Sequence, residues 1–214
     1  MNGIFQLFLG HLIGDYVLQT NFIAKYKNQK ISVLMIHILI IFLSTSLIIL
    51  PKTLKSFLAL ILLSVIHFFI DIIKFKMNKN HFFQTTFYYI LDQLMHFSSL
   101  IIISYFIENN GFLLDNRISL ILSLAVFNSF FIGILSSFVY GSIKTYKRDI
   151  TGYILRGCIP FLSFPGPVYL IISIPVFSVI NYFFNKKEQN EKFFSLYLSY
   201  LFSFIFIIMM EVSL

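Results

Sequence analysis

LALILLSVIHFFIDIIK, residues Leu58–Lys74, is an apolar run that carries one histidine and one aspartate four places apart and closes on a lysine. With its flanks it is long enough to cross roughly 30 Å of hydrocarbon at about 1.5 Å rise per residue. Outward from it, similar runs recur at about 3–23, 31–50, 56–74, 83–106, 118–141, 167–184 and 194–212. Basic residues, Gly, Pro and Asn collect in the gaps between them. The chain of 214 residues is 58% apolar and 12% charged, and its mean hydropathy is +0.86, which excludes an ordinary water-soluble domain. The expected fold is all-α, a polytopic transmembrane helix bundle of about seven spans.

Odd-numbered gaps hold 3, 3 and 4 basic residues against 2, 1 and 3 in the even ones. By the positive-inside rule the odd loops face the cytoplasm and the N-terminus lies outside, in a cytoplasmic (inner) membrane. The net charge of +7 is then carried by loop lysines facing anionic membrane lipid, and nucleic acid is not an expected partner. The first run lacks a basic leader and is interrupted by His11 and Asp15, so it reads as a retained span. Cys158, the one cysteine, has no intrachain partner and is expected to pack. Gly152–Pro167, GYILRGCIPFLSFPGP, is too rich in Gly and Pro for a continuous span, and reads as a re-entrant segment or as a short interfacial helix with a turn. The organisation expected is a four-helix unit over 1–107, and C-terminal helices over 108–214 with a break at 152–167.

Of nine carboxylates, Asp15, Asp71 and Asp92 lie well inside apolar segments, where a charge is costly unless paired. Each has a histidine four residues away, His11, His67 and His96, the spacing that puts two side chains on one helix face. The order is His then Asp in the first and third runs and Asp then His in the fourth, which runs the opposite way. Alternating topology therefore sets all three Asp toward the odd-loop side and all three His deeper. His37, in the second run, falls at a similar depth. Gln19, Gln93 and Lys74 border the set as candidates to contact a substrate or orient ligands, although Lys74 could instead pair with Asp71 or, as its place near the span end favours, snorkel to the interface. Gly10 and Gly14 form a small-residue edge beside His11 and Asp15 that admits a close neighbouring helix. His81 reads as a solvated loop residue, and Arg148-Asp149 as a surface or headgroup-facing pair.

Three readings fit seven such groups in one slab. His11, Asp15, His37, His67, Asp71, Asp92 and His96 suit a divalent transition metal, zinc first, as ligands or ligand-orienting partners. An ion with an open position would activate water, which makes the protein a candidate metal-dependent hydrolase of a lipid-linked or amphipathic substrate. Alternatively the groups line a path in a proton-coupled or metal-ion transporter. In the third reading they are a hydrogen-bonded core, as in a non-catalytic membrane subunit of a larger complex or a homo-oligomer. No His-Glu-x-x-His, Gly-x-Ser-x-Gly, phosphate-loop or Cys-x-x-Cys motif occurs, which disfavours a serine hydrolase or a nucleotide-driven pump.

At these positions the chain resembles an uncharacterised bacterial membrane family, domain-of-unknown-function family 3307. The resemblance is carried by His11-x-x-Gly14-Asp15-x-x-x-Gln19, a basic loop with Lys25, His37, His67-x-x-x-Asp71-x-x-Lys74 and Asp92-Gln93-x-x-His96, over about residues 5–98. It implies that these polar positions matter and supplies no reaction.

Overall fold

Each helix begins or ends where the local chemistry requires it. The computed structural model describes residues 3–77, 85–108, 112–141, 149–184 and 189–213, all helices and their connections, with no strand among them. They fall into two compact units, Met1–Ser119 and Leu120–Leu214.

In the first unit, α1 (Ile4–Leu12) continues as a wider π turn over Ile13–Val17 and then stops. The expected run to residue 23 is thus interrupted. Thr20 turns the backbone extended and accepts the Ile23 N–H at 3.3 Å, starting a separate six-residue helix, α2 (Asn21–Tyr26). Next come α3 (Ile31–Ile49), α4 (Leu54–Met77) and α5 (Thr86–Ser104). Leu50 ends α3 in the left-handed region at φ 49, immediately before Pro51, which disfavours helical backbone in its predecessor. Thr53 and Thr85 side chains accept the N–H groups of Ser56 and Tyr88 in the first turns of α4 and α5.

The helix α1 packs on α3 and α5, and α4 lies between α3 and α5. Leu7, Ile49, Ala59, Leu60, Leu63, Leu100, Ile103 and Ile107 form a dry cluster at one end of this unit. Helices in lipid gain little from the hydrophobic effect and associate through close packing and internal polar contacts. Both are present: Gly10 and Gly14 of α1 lie so near α3 that a Cβ on Gly10 would stand 2.7 Å from Thr45 Cα.

In the second unit, α6 (Asn116–Val126), which begins just before the division, passes through a π segment, Phe127–Ile132, into α7 (Gly133–Val139). It is followed by α8 (Ile150–Cys158) with a 3-10 turn over Ile159–Ser163, α9 (Val168–Phe184) and α10 (Gln189–Ser213). The Gly/Pro-rich stretch is therefore a short helix and a tight turn, closed by Gly166 at φ +144. Cys158, expected to pack, is exposed.

Among the described residues, five helical stretches are long and apolar enough to cross a membrane: Ile31–Ile49, Leu54–Met77, Thr86–Ser104, Asn116–Val139 and Gln189–Val212. Ile4–Val17 and Val168–Phe184 are shorter apolar helices. The protein is an all-helical, multi-pass membrane protein.

Candidate metal centre

Away from the dry cluster, the first unit buries polar side chains from four helices together. His11 and Asp15 come from α1 and its π turn, His37 from α3, His67 and Asp71 from α4, and Asp92 and His96 from α5; all seven are buried. The one-turn spacing brings each His to its own Asp, with Nε2 to carboxylate distances of 3.5 Å in α1, 3.5 Å in α4 and 3.9 Å in α5. His37, which has no acidic partner on its own helix, stands at the junction: its Nε2 is 3.1 Å from Asp15 Oδ1, 3.4 Å from Asp71 Oδ2 and 3.3 Å from His67 Nε2. The rings of His67 and His96 stack at 4.2 Å, and His11 packs against both.

Three sets of ligand atoms have all members within 4.8 Å of one another: His11, His67 and His96; Asp15, His37 and His67; Asp71, Asp92 and His96. His37 Nε2, His67 Nε2 and Asp71 Oδ2 form a compact triangle with edges of 3.3, 3.4 and 3.5 Å. Ligands about 2.1 Å from a tetrahedral ion stand about 3.4 Å apart, so this is the size of one face of such a site. Asp71 Oδ2, in that triangle, is buried with no hydrogen-bond partner, as are Asp92 Oδ1 and His11 Nε2 beside it. The Nδ1 atoms of these four histidines likewise have no hydrogen-bond partner, so among the described residues none supplies the outer hydrogen bonds usual around metal-held imidazoles.

Two lysines complete the electrostatics. Lys27, just beyond α2, reaches over the cluster with Nζ 3.0 Å from His37 Nε2, 3.6 Å from Asp71 Oδ2 and 3.8 Å from Asp15 Oδ1. In the sequence Lys27 is one of three lysines in a gap between apolar runs; the break after Val17 and the short helix α2 bring it inward. Lys74 does not snorkel and is not paired with Asp71; it donates to Asp92 Oδ2 on α5 at 2.9 Å. Three carboxylates thus face two ammonium groups.

Gln93 donates to Asp92 Oδ2 at 3.2 Å and accepts from Tyr16 Oη at 3.0 Å, and Tyr16 is 3.3 Å from Tyr89 Oη. Its amide is therefore engaged at both ends and holds Asp92 in place. The two tyrosines went unnoticed in the sequence, although Tyr89 lies one turn from Gln93. Gln19 falls beyond the π turn, where the helical register that put it under His11 has ended, and its Oε1 is buried without a partner. Gly10 and Gly14 do form the close α1–α3 edge that sequence spacing suggests. His81 and Arg148 lie outside the described residues.

Comparison with known proteins agrees with the clustered motifs. A family model described as a protein of unknown function (DUF3307) matches residues 4–137. The chain belongs to that family. The match runs well past the stretch 5–98 on which the sequence resemblance rests, through α6 and most of α7. All seven clustered DUF3307 residues, with Lys27 and Lys74, fall inside it. No curated protein and no solved structure matches the chain.

In the second unit, the second charged cluster surrounds Arg156. Its guanidinium is 3% exposed, donates to the carbonyls of Asn128 and Ser129 and to Ser195 Oγ, each at 3.1 Å, and lies 3.5 Å from Asp149 Oδ2. Both carbonyls belong to the π segment, whose wider turn leaves backbone acceptors available to a side chain. Asp149 also caps α8 through the Gly152 N–H at 3.0 Å and accepts from Lys192 at 2.7 Å. Burial alone would raise the Asp149 carboxyl, but Lys192, the Gly152 N–H and Arg156 together hold it below the usual carboxylate range. This network satisfies its own members and reads as architecture.

Proposed function

We propose that the first unit binds a divalent transition-metal ion, zinc first, among His37, His67, Asp71 and Asp15, and that the bound ion serves hydrolysis of a lipid-linked or amphipathic substrate. The observation that carries this reading is the His37–His67–Asp71 triangle, with edges of 3.3 to 3.5 Å matching one face of a tetrahedral site. An ion there supplies Lewis acidity toward water. His11, His96 and Asp92 shape the surrounding charge, and Gln93 and Tyr16 hold Asp92. In this reading the chain crosses a cytoplasmic membrane about seven times, with the N-terminus outside and the cluster opening toward the cytoplasm.

The test is metal content by elemental mass spectrometry on detergent-purified protein, after exposure to zinc and washing. Wild type is expected to retain near-stoichiometric metal, His67→Ala and Asp71→Asn to lose it, and the surface variant Lys52→Ala to keep it. Loaded wild type is then assayed against ester- and phosphoester-bearing lipids. Metal retained equally by His67→Ala, or by none of the chains, overturns the site; a sound site with no turnover overturns the hydrolase.

A further inference from the structure

The position of Lys27 adds a second property to the proposed metal site and rests on that reading. The ammonium lies within 3.0 to 3.8 Å of three atoms offered as ligands, on His37, Asp71 and Asp15. Lysine has three N–H donors and no acceptor, so in the 3.0 Å contact His37 Nε2 accepts. An imidazole nitrogen has one lone pair. His37 Nε2 can give it to Lys27 or to a metal, but not to both. The same holds for charge, since an ammonium this close to the ligand atoms repels an arriving dication and offsets the carboxylates that would attract it.

We propose that Lys27 is a tethered cation that occupies the ligand face of His37, Asp15 and Asp71 and is displaced when a metal ion binds. The setting suits displacement. Lys27 caps the C-terminus of α2, a helix of six residues whose one buried side chain is Ile23. Its own side chain is 13% exposed, so part of the flexible stem reaches the surface and the ammonium can swing outward. Without the metal, Lys27 offsets two buried carboxylates that would otherwise repel each other. With the metal, it is released to face solvent, headgroups or the acidic part of a substrate. Lys74 differs, because its contact is Asp92 and none of the atoms of the tight triangle.

Two opposed effects follow from one substitution. Lys27→Met keeps the length of the side chain and removes the charge. The metal-free variant is expected to unfold at lower temperature than wild type, yet to bind zinc at least tenfold more tightly in competition with a chromophoric chelator. Lys27→Arg, which keeps the charge, is expected to bind no tighter than wild type. Independently, zinc added to chelator-stripped wild type is expected to raise acylation of Lys27 by a water-soluble amine-reactive ester several-fold, read by peptide mass spectrometry, with no rise in His67→Ala. Zinc affinity of Lys27→Met equal to or below that of wild type, or zinc protection of Lys27 from acylation, overturns the proposal and leaves the metal site standing. If neither wild type nor Lys27→Met binds zinc in a His67-dependent way, both readings fall.

Discussion

Replacing Gly10 with alanine tests whether the approach of α1 to α3 sets the metal centre. A Cβ at this position would meet Thr45 Cα at 2.7 Å, Ser44 O at 3.1 Å and Thr45 N at 3.2 Å. All three are backbone atoms of a regular helix and cannot rotate away. Ordinary contact begins at 3.4 Å, so α1 must draw back by roughly 0.7 Å. Overpacking of this kind costs about 1–3 kcal/mol, offset in part by the roughly 1 kcal/mol by which alanine favours helix over glycine. The expected net loss is about 1 kcal/mol of stability. The larger effect falls on the site, because its ligand Asp15 lies five residues further along the same segment and His11, which borders it, is the next residue. Metal sites tolerate errors of about 0.2 Å in ligand position, so a recoil several times larger is expected to weaken zinc binding at least tenfold, about 1.4 kcal/mol.

The assay pairs thermal unfolding in detergent with zinc titration, and Gly14→Ala is the internal control. Its Cβ would first meet Ser44 Oγ at 2.6 Å and Ile41 Cδ1 at 2.7 Å, side-chain atoms that can move, with backbone only at 3.1 Å. The milder effect is therefore expected at Gly14. Wild-type zinc affinity in Gly10→Ala, or greater damage from Gly14→Ala, would refute the argument that this helix contact positions the cluster.

Two further expectations concern the second unit. Arg156→Met leaves the buried Asn128 and Ser129 carbonyls without their side-chain donor, while Asp149 keeps Lys192, and is expected to cost about 1–3 kcal/mol in detergent unfolding; a loss under about 0.5 kcal/mol would show that the network is dispensable. Asp149→Asn keeps a capping side chain but removes the charge. A carboxyl held low in the folded state contributes stability that is complete above its unfolded value, near 3.9, and fades as pH falls through the lower folded value. The stability gap between wild type and Asp149→Asn is therefore expected to be full at pH 7 and to shrink below about pH 4, and a gap constant down to pH 3 contradicts the assignment.

What the sequence reveals about the site is what helical periodicity controls. His11 with Asp15, His67 with Asp71, and Asp92 with His96 are readable because four residues return a side chain to the same face, and opposite chain directions fix a common depth. His37 joins them by depth alone. Lys27, Tyr16 and Gln19 are illegible for one shared reason: their positions depend on the π turn and the break after Val17, which no apolar run announces. Arg156 is illegible because two of its partners are backbone carbonyls, which leave no trace in residue identity, and Ser195 lies on a distant helix.

The π turn at Ile13–Val17 also bears on how this stretch of chain can change length. A π turn is a helix holding one residue more than the α pitch requires. Deletion of Ile13 would let the turn close to α pitch and leave His11 and Asp15 three residues apart, still on one helix face. A chain that dispensed with the extra residue would have to carry its carboxylate at another distance from the histidine. The interval between His11 and Asp15 therefore records the pitch of the backbone as well as the chemistry of two side chains.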